Sequence, residues 1–192
     1  KGEPIAPGAA NKKARVSSGT VGIATKKPEH EVNLEASKIL KEMLLENKNN
    51  VIMTREISEV NISNIERAEM ANNANCDLAI RIHCDSVNNE GKTGTVILIP
   101  SSSSKYTATI YEKSNNFAQI LKEKLSGEGV KVNGVIERED ITGFNWSKVP
   151  VVILEMGFMS NYNEDRMLSN PEYQQKLMMC VSKAVEEYKN FN

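Results

Sequence analysis

Rings are scarce in this chain: aromatic residues make up 5% of its 192 positions, with Trp146 the single tryptophan. A core with so little aromatic volume must be filled by Ile, Leu, Val and Met. Cysteine is equally sparse. Cys76, Cys84 and Cys180 lie far apart with no C-x-x-C pair, an odd count that argues against a disulfide framework and for buried free thiols. No apolar run approaches the ~20 residues of a membrane-spanning helix, so no membrane span is expected. Lys and Arg number 24 against 25 Asp and Glu, mixed along the chain with a net charge of −1. Without a basic block, nucleic acid is not an expected partner. Also missing are a P-loop, G-x-G-x-x-G, a G-x-S-x-G elbow and H-E-x-x-H. No export signal is visible, and the chain starts at a lysine, so a targeting segment or upstream domain is compatible with it.

What is present has the length for one well-buried α/β domain. Residues 1–28 hold seven glycines and prolines and no sustained period, and read as a long loop. Pro28 opens a helix with Glu29 and Glu31 in its first turn and Val32, Ala36, Ile39, Leu40 and Met43 on one face. Val51-Ile52-Met53-Thr54 reads as a short strand. A helix over 62–75, capped by Asn61 or Ser63, leads to a strand ending at His83. Residues 95–99 form a further strand, a helix ends near Leu125 before Gly127 and Gly129, and 130–136 suits a short edge strand. Residues 137–148 and 161–170 read as irregular, and Pro171 starts a last helix. This order predicts a single α/β domain with a largely parallel central sheet flanked by helices, a hydrolase-like layout.

The most informative stretch is Val149-Pro150-Val151-Val152-Ile153-Leu154-Glu155. Its apolar run suits a strand buried on both faces, and Glu155 stands where that strand ends. Ligands of open α/β sheets bind outside the carboxyl ends of strands, so this acid is a candidate for chemistry as well as for a surface position. His83 ends another strand at the same kind of place, as a potential zinc ligand, a general base or a structurally satisfied ring. His30, beside two glutamates, reads as a surface residue. Cys84 and Asp85 follow His83, but neighbours on a strand point to opposite faces, which argues against a Cys-His-Asp nucleophile.

Four motifs carry a family resemblance. Glu29-His30-Glu31-Val32-Asn33-Leu34, Thr54-Arg55 with Glu66-Arg67-Ala68 and Ala71-Asn72, Arg81-Ile82-His83-Cys84-Asp85, and Leu154-Glu155-Met156-Gly157-Phe158-Met159-Ser160-Asn161 occur in order. Together they resemble the zinc-dependent N-acetylmuramoyl-L-alanine amidases, the type 3 cell-wall hydrolases, over essentially all of the chain after residue 19. The resemblance implies a Zn2+ enzyme that cuts peptidoglycan between N-acetylmuramic acid and the L-alanine of the stem peptide. Glu29 and His83 would be metal ligands and Glu155 the catalytic acid/base. Arg81 and Asn145 are weaker substrate-binding candidates. It also implies a bacterial extracellular or cell-wall setting, a secreted autolysin-like role and a monomer.

One element of the resemblance is missing. The family's first ligand is a histidine in Asp-Pro-Gly-His after the first strand, whereas Pro7-Gly8 is followed by Ala9 and no strand precedes it. Either the first strand and its histidine lie upstream, making 1–28 the insertion after them and 29–192 the catalytic domain, or the ligand is truly lost. In the second case the chain is a non-catalytic peptidoglycan-binding or regulatory relative with an incomplete metal site.

Overall fold

The computed structural model describes residues 2–191. A hairpin of β1 (Gly2–Pro4) and β2 (Lys12–Ala14) precedes α1 (Glu29–Glu46), α2 (Asn64–Asn73), β3 (Ala79–Asp85) and β4 (Thr95–Pro100). Then come α3 (Ala108–Gly127), β5 (Val132–Arg138), the short α4 (Thr142–Asn145), β6 (Val151–Phe158), α5 (Tyr162–Leu168) and α6 (Pro171–Lys189). The central sheet runs in the order β3-β6-β4-β5, with β3–β6 and β4–β5 parallel and β4–β6 antiparallel. The chain is therefore a single α/β domain with a largely parallel sheet between helices.

Strand β6 is interior, as its apolar run requires: Val151, Val152, Ile153 and Leu154 are all buried. Alternation along the strands divides its side chains between two faces. On one face Ile82, Cys84, Ile97, Val152 and Leu154 pack against Val32, Ala36 and Leu40 of α1, Phe117 and Leu121 of α3, and Leu177 and Val181 of α6. Phe117 meets Tyr188 edge to face at 5.6 Å. Full burial of each such aliphatic side chain stabilises the fold by about 1.5–3 kcal/mol, so this layer is the principal core. The second face holds a smaller cluster of Val96, Leu98, Val151 and Ile153 beneath Phe144 of α4. Arg81, His83 and Glu155 belong to this second face, alternating with Ile82, Cys84 and Leu154.

Several local expectations need correction. Residues 51–54 form no strand: they join no ladder, and Ile52 is 55% exposed. The segment has no neighbour to pair with, because a groove of about 1080 Å³ separates it from β3. Residues 161–170 are not irregular but hold α5, whose N-cap Asn161 accepts a hydrogen bond from the Glu164 N–H at 2.9 Å. An Asn followed three residues later by Glu is a helix-start signature. Likewise, 137–148 contains α4. At the start of α2 the cap is Ser63, in a capping box with Glu66.

Residues 2–28 are a hairpin followed by a tied loop rather than featureless coil. Glu3 is buried, and its carboxylate accepts from Asn64 N (3.2 Å), Asn64 Nδ2 (2.9 Å) and Ile65 N (3.2 Å) at the start of α2. The free N–H groups and positive end of a helix favour an acid there. Further along, Asp165 of α5 accepts from Ala24 N at 2.8 Å, Thr25 N at 2.7 Å and Thr25 Oγ1 at 3.0 Å. Gly22 lets the loop approach so closely; a Cβ there would collide with the Asp165 carboxylate.

Candidate active site

The parallel pairing of β3 with β6 places His83 and Glu155 directly opposite each other in register. Both side chains emerge on the second face, in the carboxyl halves of two parallel strands; Glu155 does not end its strand as expected, because β6 continues in the ladder to Phe158. Helix α1 supplies the third member. The chain enters α1 through Pro28, with Glu29 N bonded to Thr20 O at 2.8 Å, which aims Glu29 back at the end of β3.

The Glu29 carboxylate is an acceptor hub. Its Oε1 takes His83 Nδ1 at 3.1 Å, Asn33 Nδ2 at 3.0 Å and the Cys84 N–H at 3.2 Å, and Oε2 takes Thr20 N at 3.3 Å. Burial alone would raise its pKa, but the hydrogen bonds from His83 and Asn33, the charge His83 carries once protonated in acid, and the Cys84 amide outweigh that and hold it at about 2. An ionised carboxylate only accepts, so His83 Nδ1 carries the hydrogen and the lone pair sits on Nε2. Burial lowers the pKa of His83, assisted by the charge of Arg81 and opposed by Glu29. The imidazole is thus kept neutral, the form that binds metals or takes protons.

Glu155 has the opposite character. Burial, then the charges of Asp85 and Glu29, push its pKa up to about 8 against the pull of Arg81 and Arg138. One of its oxygens, Oε2, is buried without a hydrogen-bond partner. A carboxyl near neutrality can both donate and accept a proton, which is the property of a general acid/base.

The weaker candidates have other commitments. Arg81 lies deep beside the groove, donates to Asn64 Oδ1 at 2.9 Å and packs so closely on Gly143 that a Cβ there would collide with its guanidinium. Burial and neighbouring Arg67 lower its pKa to about 10. Asn145 is buried and spends its amide hydrogens on Ile5 O (3.0 Å) and Glu139 O (2.9 Å), while Trp146 Nε1 donates to Pro4 O at 3.1 Å. Both side chains hold the hairpin. His30 is half-buried, not at the open surface, and its carbonyl accepts from Arg55 Nη2 at 2.6 Å. Cys84 points into the core, where burial raises its thiol pKa well above normal, so a thiolate nucleophile has no support.

Asn33 also belongs to the site, with no chemical signal of its own in the sequence beyond its spacing from Glu29. It sits four positions after Glu29 on one helix face, a spacing that brings two side chains together, and it fixes the carboxylate.

The donor set falls short of what zinc requires. A catalytic zinc takes three protein ligands and keeps one position open. Here Glu29 and His83 converge, Glu29 already accepts four hydrogen bonds, and among the described residues no three His, Cys, Asp or Glu side chains group to hold a metal. Glu29 and His83 would supply two of the three ligands, and the residues present do not fit a complete site.

Fold and site together define an α/β domain with a polar ridge of two carboxylates and an imidazole on one face of its sheet. The profile of the N-acetylmuramoyl-L-alanine amidase family (Amidase_3) matches residues 5–187, and the chain belongs to that family. It is 26% identical over 126 residues to the N-acetylmuramoyl-L-alanine amidase Rv3717 of Mycobacterium tuberculosis, covering 62% of this chain and 51% of the relative. The match thus spans about half the length of that relative. With the uncharacterized protein YqiI of Bacillus subtilis it shares 25% identity over 163 residues, 83% of this chain and 74% of the other. Among solved structures, the amidase Ami1 of Mycobacterium smegmatis superposes with a TM-score of 0.91 at 23% identity, covering 100% of this chain and 89% of that one. The CwlD amidase of Clostridioides difficile, solved in complex with the GerS lipoprotein, gives 0.82 at 20% identity, covering 94% and 95%.

Proposed function

We propose that residues 1–192 act on peptidoglycan as a binding or regulatory relative of the amidases, with the metal site incomplete. The observation that carries this reading is the donor count: Glu29 and His83 converge, and no third ligand stands with them among the described residues. Family membership supports peptidoglycan as the substrate class, and a cell-wall location would follow from that substrate. The ridge of Arg81, His83, Asp85 and Glu155 offers donors and acceptors of both signs to a ligand rich in amides and carboxylates. Residues 29–192 would form the ligand-binding body and the tied N-terminal segment its lateral wall.

A second reading is an active zinc amidase whose third ligand comes from outside these residues. Glu155 favours it, since a carboxyl raised to about 8 opposite a neutral imidazole is suited to move protons. When protonated it would hydrogen-bond a carbonyl or a departing amine, and when ionised it would accept a proton from water.

Co-sedimentation of the purified chain with sacculi, followed by mass analysis of the supernatant in the presence of added zinc, separates the two. The chain is expected to sediment with sacculi and release nothing. Stem peptides beginning in L-alanine would establish the second reading, and failure to sediment would defeat both.

A further inference from the structure

Arg138, the last residue of β5, stands on the same face of the sheet as the polar ridge. Val96 of β4 is the register partner of both Glu155 and Gly134, and Pro100 is the partner of Arg138. Residues two apart on a strand share a face, so Gly134, Ile136 and Arg138 lie on the face that carries His83 and Glu155. Ile136 is 47% exposed there, opposite Leu98 in register. Glu137 alternates to the other face and accepts from Ser102 N at 2.9 Å, and Glu139 accepts from Ser101 Oγ at 3.1 Å and Ser103 Oγ at 2.7 Å. Neither acid pairs with Arg138.

The guanidinium is held by one edge only. Its Nε donates to Asp140 Oδ1 at 2.7 Å and its Nη2 to Asp140 Oδ2 at 2.8 Å, a fork-to-fork pair that fixes the plane of the group. Nη1 has no acceptor among the described residues. The same carboxylate receives Lys13 Nζ at 3.0 Å, so two cations share one acid and one positive charge stays uncompensated. The Asp140 hydrogen bonds raise the pKa of Arg138 against partial burial, and the charges of Asp140, Glu155 and Asp85 add to the rise. Its head group therefore lies within electrostatic reach of the ridge. The other cations near this face are spent: Arg81 lies deep and donates to Asn64 Oδ1, and Lys92 Nζ sits 5.0 Å from the centre of the Phe158 ring.

We infer that Arg138, clamped by Asp140, is a carboxylate-binding residue beside the ridge, and that its ligand is the free α-carboxylate of the glutamate that follows L-alanine in a peptidoglycan stem. This rests on the reading that the ridge takes peptidoglycan. That glutamate is joined through its γ-carboxyl, so its α-carboxylate is the first free anion beyond the muramoyl–alanine amide, within about two extended residues or ~7 Å of it. A guanidinium with one free, pre-oriented edge suits a planar carboxylate, whereas an amide in its place brings no charge. Exposed Ile136, two residues before Arg138 on the same face, offers an apolar surface to the glutamyl methylenes. The corner thus selects stems with a free α-carboxylate over stems in which that group is amidated.

The test is calorimetric binding of N-acetylmuramoyl-L-alanyl-γ-D-glutamyl-L-lysine to the 192-residue chain in metal-free buffer. One form has a free glutamyl α-carboxylate and an amidated C-terminus, a second is amidated at both, and a third has only the C-terminal carboxylate free. The first is expected to bind about tenfold or more tightly than the other two. Arg138→Gln should abolish that preference, Arg138→Lys should restore only part of it, and Lys92→Gln should leave it intact. Equal binding of the first two forms, or a preference that survives Arg138→Gln or is lost in Lys92→Gln, would overturn the inference. Tightest binding of the third form would also overturn it, assigning the corner to the stem terminus. If no form binds while the chain still sediments with sacculi, the inference falls and the peptidoglycan reading stands. If it does not sediment either, both fall.

Discussion

Glu29 Oε1 stands 3.1 Å from His83 Nδ1, which couples the first turn of α1 to the end of β3. The contact fixes the tautomer of the imidazole, keeps the glutamate ionised, and closes the candidate site from one side. Most of what can be tested about the ridge follows from this pair and from Glu155 across the strand.

Glu29 is expected to matter for stability before function. Its pKa is about 2 in the fold against an ordinary 4.5, so its stabilisation is present above pH 4.5 and is lost as pH falls towards 2. Glu29→Gln should remove that acid-limb dependence. Glu29→Ala leaves the amides of Cys84, Thr20 and Asn33 without their acceptor and should cost about 2–4 kcal/mol. Thermal unfolding between pH 3 and 7 measures both.

Glu155 should behave in the opposite sense. Its folded pKa is raised to about 8, so the fold binds a proton that the unfolded chain has already released above 4.5. Stability from this group is full below pH 4.5 and falls as pH rises to 8. Glu155→Gln is expected to raise Tm at pH 8, by the equivalent of about 2–4 kcal/mol, and to change little at pH 4. An unchanged Tm at pH 8 would remove the case for a raised pKa.

The hairpin is held chiefly by one buried acid. Glu3→Ala should free three donors at the start of α2, lower stability by about 1–2 kcal/mol and speed proteolysis within residues 2–14. Limited proteolysis with mass mapping tests this. Cleavage at the wild-type rate would mean that the contacts of Trp146 and Asn145 suffice.

Asp165→Ala should release residues 20–27 from α5 at a cost of about 2–3 kcal/mol, because three donors converge on that carboxylate. Faster hydrogen exchange at Ala24 and Thr25 is the expected signature.

Much of this arrangement could be read from residue patterns. The run 151–154 announced an interior strand, and His83 and Glu155 announced a polar ridge on one face of the sheet, although β6 continues to Phe158 beyond the expected end at Glu155. Alternation alone separated Cys84 from His83. What escaped depended on partners distant in sequence. Residues 51–54 have strand-forming side chains, but a strand exists only when another edge meets it. Glu3 and Asp165 look like surface acids until α2 and the 20–28 loop are placed against them. Asn161 and Glu164 did carry a local helix signal, outweighed by the polar composition around them. Glu29 reads as an ordinary first-turn acid from its local pattern; the family resemblance, not that pattern, singles it out with His83, 54 residues away.

The central proposal, that Glu29 and His83 by themselves do not make a complete metal site, is tested most directly by elemental analysis. The 192-residue chain would be incubated with excess zinc and then dialysed into metal-free buffer without chelator. Two donors are expected to retain far less than one zinc per chain, and His83→Ala to lower even that residue. One zinc per chain, retained by the wild type and lost in His83→Ala, would contradict the account by establishing a complete site.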